Sequence, residues 1–322
     1  MNRVIIVFAA MATGLWSVAA VSAQEFTLRF AQENAASHPV GQGGEFLAER
    51  VNELTDGRVE VRLFHGGELG GAPEVISAVQ LGTIEMATAT MGVMESFAPE
   101  FDIMSLPFLF RGPDHVKDVL DGELGDILIE AGEAAGFKVL AMTTGGTRQL
   151  YAKTAIESPA DVQGKKVRVM EVPILLETWR LLGAQAEPVA FPEVYMALET
   201  GVVDAAESSF LSWLNSSHYE VAPYGIRINY ADSGRIYVMN PDVANSMPDD
   251  LLAAVEQAWD ETAERIHELY VEGDAAAVEE AVEGGATVIE PDMDAFAEAI
   301  QPIYERFVPT LGLEWVQRIQ DM

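Results

Sequence analysis

At 322 residues the chain is long enough for one large domain or two lobes, and 49% hydrophobic residues supply a core. It has no cysteine, which excludes disulfides and any cysteine-based zinc or thiol chemistry. Nineteen lysines and arginines against 51 aspartates and glutamates give a net charge of -32, which excludes binding to nucleic acid or anionic lipid.

Residues 1–23 read as a cleavable signal peptide: a basic start at Arg3, an apolar run from Val4 to Val18, and Val21-Ser22-Ala23 as the small-residue cleavage pattern. The bacterial periplasm is the expected address. Phe26, Leu28 and Phe30 alternate as a strand. Phe46, Leu47, Val51 and Leu54 make a helical stripe closed by Asp56-Gly57. His38-Pro39 is placed to cap that first helix. Val59, Val61 and Leu63 form a second strand, a helix follows from Glu74 to Leu81, and a strand runs from Ile84 to Thr90. Leu106–Phe110 is a compact apolar run that reads as a buried crossing segment. One helix is expected over Asp114–Ala134, then a strand over Phe137–Met142.

The pattern then restarts. Ser158-Pro159 opens a short helix that Gly164 closes. Lys166–Val169 is a strand, and helices are expected over Val172–Leu182 and Phe191–Thr200, each stopped by a glycine. Ile236–Met239 is a late strand, Asp249–Val282 a long helix, Ala286–Ile289 a last strand, and two short helices finish the chain. This β-α rhythm predicts an α/β fold with mainly parallel strands and helices on both faces. Two similar halves without a linker suggest two lobes with a cleft at the carboxyl ends of the strands.

Catalytic motifs are missing from the sequence. The five histidines (His38, His65, His115, His218 and His267) do not pair at metal-ligand spacing, and no nucleophile elbow, phosphate loop or dinucleotide fingerprint occurs. Neither a metal site nor a cofactor is expected. A secreted enzyme acting on an acidic substrate and a periplasmic ligand sensor stay open as rival readings.

The cations are unevenly placed. Arg148, Lys153, Lys165, Lys166 and Arg168 cluster within a short stretch of a strongly acidic chain. Arg168 lies near the carboxyl end of its strand, where a guanidinium offers parallel N–H donors to a carboxylate. Arg148 is expected in the loop after Gly145-Gly146-Thr147, and the two lysines as surface charge. Glu171, three residues past Arg168, either pairs with that arginine or accepts hydrogen bonds from the hydroxyls of a sugar acid or the amine of a zwitterion, while repelling a second acid. Glu33, Glu74 and Thr90, near strand ends or helix starts of the first lobe, are candidate polar contacts.

Ordered pieces of the sequence carry a family resemblance. They are Leu69-Gly70, Ala78-Val79-Gln80-Leu81-Gly82-Thr83-Ile84-Glu85-Met86, Leu106-Pro107-Phe108-Leu109-Phe110, Gly146-Thr147-Arg148, Gly164-Lys165-Lys166-Val167-Arg168-Val169, and the stretch from Glu193 to Asp204. Together they resemble the solute-binding subunit of a tripartite ATP-independent periplasmic (TRAP) transporter, of the DctP type. The resemblance implies a two-lobed periplasmic-binding-protein fold with a ligand cleft between the lobes and a long helix spanning both. Lobe I would comprise 24–145 plus 234–275, and lobe II 146–233 plus 276–322. It implies capture of an organic acid anion and delivery to integral-membrane TRAP permease subunits; a monomer is the simplest assembly. Arg168 takes the position of the family's carboxylate-binding arginine, Arg148 that of a supporting one, and Phe191 that of an apolar wall. Ser208 departs from the asparagine common there and leaves room for a larger or differently hydrated ligand.

Overall fold

A computed structural model describes residues 24–232 and 234–322. The expected signal peptide lies outside the described residues. Two sheets form two lobes. Strands β1 (Phe26–Ala31), β2 (Val59–Phe64), β3 (Met86–Thr90) and β4 (Lys138–Thr143) belong to the first. Strands β5 (Thr147–Ala152), β6 (Lys166–Val169), β7 (Gln185–Pro188), β8 (Ala205–Ser208) and β9 (Tyr224–Asp232) belong to the second. Strand β10 (Arg235–Met239) returns to the first sheet and β11 (Thr287–Ile289) to the second. The orders are β2-β1-β3-β10-β4 and β11-β9-β5-β8-β6-β7.

The sheets are mixed, which corrects the mainly parallel expectation. β1 runs parallel to β2 and β3, and β6 parallel to β7 and β8. The strands that follow the interlobe connections run the other way: β10 lies antiparallel between β3 and β4, and β5 antiparallel between β8 and β9. The connections β4–β5 and β9–β10 thus pass side by side from one sheet to the other. Asp232 ties them together, accepting from Thr144 Oγ1 (3.0 Å) and Thr147 Oγ1 (3.2 Å) in full burial. Burial raises its pKa to about 6 against the opposing hydrogen bonds of the two threonines.

The helix Asp249–Glu283 spans both lobes. Leu251, Val255, Ala258, Trp259, Thr262, Ile266, Tyr270, Ala277 and Ala281 form its buried stripe at helical spacing. Trp259 packs edge-on against Phe30 at 5.3 Å and lies 4.7 Å from Tyr237. Ala281, near the other end, joins the cluster of Tyr151, Phe210 and Trp213 in the second lobe. Thirty-five residues reach roughly 50 Å at ~1.5 Å per residue, enough to brace two lobes. Among the described residues no helix is long and apolar enough to cross a membrane.

Smaller differences have local causes. The single helix expected over Asp114–Ala134 is two, Pro113–Leu120 and Glu123–Ala134, parted at Asp121-Gly122. Phe191–Glu193 is a 3₁₀ turn leading into the helix Val194–Thr200, because Pro192 sits at its start. Three short helices, not two, follow β11. Leu106–Phe110 does cross: Leu106, Leu109 and Phe110 are buried, and the Phe108 amide donates to the Tyr230 carbonyl of β9 at 2.6 Å.

Candidate functional site

Strand β6 carries Arg168. Its Val167 and Val169 are fully buried, its Lys166 is exposed, and Arg168 is only 2% exposed. Arg168 Nε donates to the Val189 carbonyl (2.8 Å) and Nη1 to the Glu207 carbonyl (3.4 Å). Its guanidinium carbon stands 5.7 Å from the centre of the Phe191 ring. Arg168 also lines an interlobe cavity that offers about 100 Å³ to the centres of water-sized molecules. One water needs only ~10–15 Å³ on that measure, so the space suits a small solute.

Behind Arg168 stands Glu207, fully buried on β8. Its Oε2 accepts from Arg148 Nε in a short bond and from Tyr230 Oη at 2.6 Å. Its Oε1 accepts from the Met170 amide at 3.1 Å and lies 3.7 Å from Arg168 Nη1. Arg148 Nη2 donates to the Glu207 carbonyl at 2.9 Å. Burial opposes the Arg148 charge, but the Glu207 carboxylate outweighs it and holds the guanidinium firmly protonated. Burial and the same carboxylate push the Tyr230 hydroxyl far up, so it stays a donor. His218, behind Phe191, is lowered to about 3 by burial and by the Arg168 charge, and is neutral.

Two buried arginines share the Glu207 carboxylate, and a second buried acid, Asp232, lies close enough to Arg148 to feel its charge, so Arg168 is the arginine that borders the cavity with only a 3.7 Å contact to a carboxylate. Burying a cation is costly unless an anion completes it.

All eight residues singled out in the sequence line this one cavity: Glu33, Glu74, Thr90, Arg148, Arg168, Glu171, Phe191 and Ser208. Two placements differ from expectation. Arg148 is the second residue of β5, not a loop residue, because Thr147–Ala152 pairs with β8 and β9. Glu171 is exposed at the cavity mouth and does not pair with Arg168, whose carboxylate partner is Glu207. Lys166 is exposed and Lys165 donates to Thr154 Oγ1 at 3.1 Å, away from the cavity. His38 caps the helix Pro39–Leu54 through its Nδ1. Among the described residues no cluster of histidine and acids is arranged to hold a metal.

Residues 30–310 match the family model for the bacterial extracellular solute-binding protein, family 7, DctP. The chain belongs to this family. It is 39% identical over 189 residues to a solute-binding protein of Chromohalobacter salexigens, a stretch that spans 58% of this chain and 56% of that protein. Among solved structures, it superposes on a TRAP periplasmic solute-binding protein of Chromohalobacter salexigens with bound D-glucuronate. The TM-score is 0.86, with 33% identity over 91% of this chain and 99% of that one. A TRAP solute-binding protein of Sulfurospirillum deleyianum with bound succinate gives a TM-score of 0.88 at 30% identity, covering 92% and 99%. The TRAP solute-binding fold therefore accounts for both lobes and for the cavity between them.

Within this DctP-family cavity, four polar side chains of the wall are not among the residues expected from the sequence. Asn34, Ser212, Arg235 and Tyr270 all line it. Glu207 sits one layer behind.

Proposed function

We propose that this DctP-family chain works in the periplasm, where it captures an organic acid anion, with sugar acids as the favoured class, and hands it to integral-membrane TRAP permease subunits. The observation that carries this reading is the placement of Arg168, buried and held only loosely by a carboxylate at the cavity wall. Its guanidinium is fixed by the Val189 and Glu207 carbonyls and borders the cavity. A ligand carboxylate there would pair with a guanidinium already held in place, with little reorganisation of the site.

The supporting residues divide the work. Arg148 and Tyr230 hold the Glu207 carboxylate, and Glu207 holds Arg168 in place. Phe191 covers the Arg168 face. Ser208 borders the acid end, while Glu33, Glu74, Glu171 and Thr90 present oxygen acceptors to ligand hydroxyls. Lobe I of the proposal is 24–145 with 234–275, and lobe II is 146–233 with 276–322. They close about the paired crossings near Asp232. Closure is driven only by contacts that both lobes make to the ligand together. The protein transforms nothing and acts as a monomer.

The relatives with bound D-glucuronate and succinate support a carboxylate ligand. Calorimetry with a panel of uronates, aldonates and dicarboxylates tests the reading. An acid from the panel is expected to bind tightly, and Arg168→Lys, which loses the fork geometry, to weaken it by about 100-fold or more. Unchanged binding by that variant would sink the assignment.

A further inference from the structure

The lobe I wall holds polar atoms that the protein does not itself use. Arg235 opens β10 and is 4% exposed. Its Nη2 donates to Asn34 Oδ1 at 2.7 Å and lies 3.6 Å from Glu33 Oε1. Its Nε and Nη1 are buried without an acceptor, and so is Tyr270 Oη on the spanning helix. Both residues line the cavity that Arg168 borders from the other lobe. Buried guanidinium donors left without acceptors are uncommon, and each calls for a partner.

We infer that Arg235 and Tyr270 form a second recognition point, one that takes neutral oxygens at the far end of a polyhydroxylated monocarboxylate. This rests on the reading of Arg168 as the carboxylate anchor. Two features make the far end neutral. First, a guanidinium grips a carboxylate through a pair of donors that includes Nη2, and here Nη2 is turned to Asn34 and Glu33. The two remaining donors, Nε and Nη1, diverge and serve separate oxygens. Second, Glu33 already offsets the Arg235 charge, and Glu74 and Glu171 add negative charge to the cavity wall. A second ligand carboxylate would meet like charges, whereas hydroxyls can donate to those acids and accept from Arg235 and Tyr270. The cavity thus reads a ligand by its two ends: one acid at Arg168, hydroxyl or ring oxygens at Arg235.

The test is calorimetry on the full chain with D-glucuronate and D-galacturonate, using the tighter of the two. The comparison ligands are cyclohexanecarboxylate, a ring acid without hydroxyls, and D-glucarate, which has a carboxylate at each end. The uronate is expected to bind about 100-fold or more tightly than cyclohexanecarboxylate, since several hydrogen bonds separate them. Tyr270→Phe and Arg235→Met should each cut that preference roughly tenfold. Tyr270→Phe removes an atom without a protein partner, so its fold is secure even if Arg235→Met is unstable. D-glucarate should bind no more tightly than the uronate. An unchanged preference in Tyr270→Phe, or tighter D-glucarate, overturns the inference. If Arg168→Lys still weakens the uronate in that case, the carboxylate reading stands alone. If Arg168→Lys changes nothing, the anchor itself is wrong, and the inference falls with it.

Discussion

Arg168 Nη1 and Glu207 Oε1 stand 3.7 Å apart, both buried, and the same carboxylate also holds Arg148. The pair is therefore not an isolated bridge. It belongs to a buried charge network of Arg148, Arg168 and Glu207, with Asp232 beside Arg148, and Arg168 is the member at the cavity wall. A buried group of this kind is strongly destabilised when one partner is removed, because the others keep their desolvation cost. Glu207→Gln would leave two buried arginines without the carboxylate they share. It is expected to lower the stability of the ligand-free protein on the order of 3–5 kcal/mol, read by urea unfolding. A loss below 1 kcal/mol would mean that the carboxylate does not organise the arginines.

The lobes that the proposed function has closing on the ligand meet at one tight point. Gly67, in the loop after β2, has φ +77°, and a Cβ there would stand 2.6 Å from Pro192 Cγ of the other lobe. The positive φ and the close approach both favour glycine. Gly67→Ala should hold the lobes apart, so acid binding weakens by about tenfold or more, the equivalent of ~1.4 kcal/mol. Small-angle scattering in saturating ligand should then report a larger radius of gyration than for the unaltered chain. Normal closure would show that the loop shifts at little cost.

How much of this was legible beforehand depends on strand direction. The β-α rhythm of the first lobe gave β1, β2 and β3, whose apolar alternation or continuity is strong. β7 and β8, by contrast, read Gln185–Pro188 and Ala205–Ser208, with few of the branched and aromatic residues that mark strands. β5 is buried on both faces, polar residues included, so no alternation shows. Direction mattered more for the site. A parallel sheet brings only carboxyl-terminal ends to the cleft, and Arg168 was found by that rule. β10 is antiparallel, and its first residue, Arg235, pairs with Thr90 at the end of β3. An arginine at the start of a strand was thus delivered to the cleft by a reversal that apolar patterning does not encode. Glu207 was hidden for a different reason: among 51 acids, nothing in the sequence distinguishes a buried one.

The spanning helix is pressed close to the first. A Cβ on Gly43 would lie 2.3 Å from Ile266 Cγ1. Gly43→Ala raises helix propensity but forces the helices apart. Overpacking of this kind typically costs ~1–3 kcal/mol, which exceeds the gain of up to ~1 kcal/mol from replacing glycine. A lowered melting temperature is expected, and a raised one would show that Ile266 swings aside freely.

Glu95 gives the fold a pH dependence. Its carboxyl, with a buried and unpaired Oε2, is raised from the ordinary 4.5 to about 7, by burial first and by Asp102 second. The folded chain therefore holds a proton that the unfolded chain releases between about pH 4.5 and 7. Where the native state binds more protons, stability falls as pH rises. The contribution is present below pH 4.5, declines through this window and is lost above about 7. Partial exposure to solvent softens the slope, and Asp102, also raised by burial, adds to it in the same direction. Glu95→Gln mimics the protonated form at every pH. The variant should match the unaltered chain near pH 4.5, exceed it at pH 7.5, and show a shallower decline between, measured as urea midpoints. Parallel curves for the two proteins would mean that Glu95 titrates normally in the folded state.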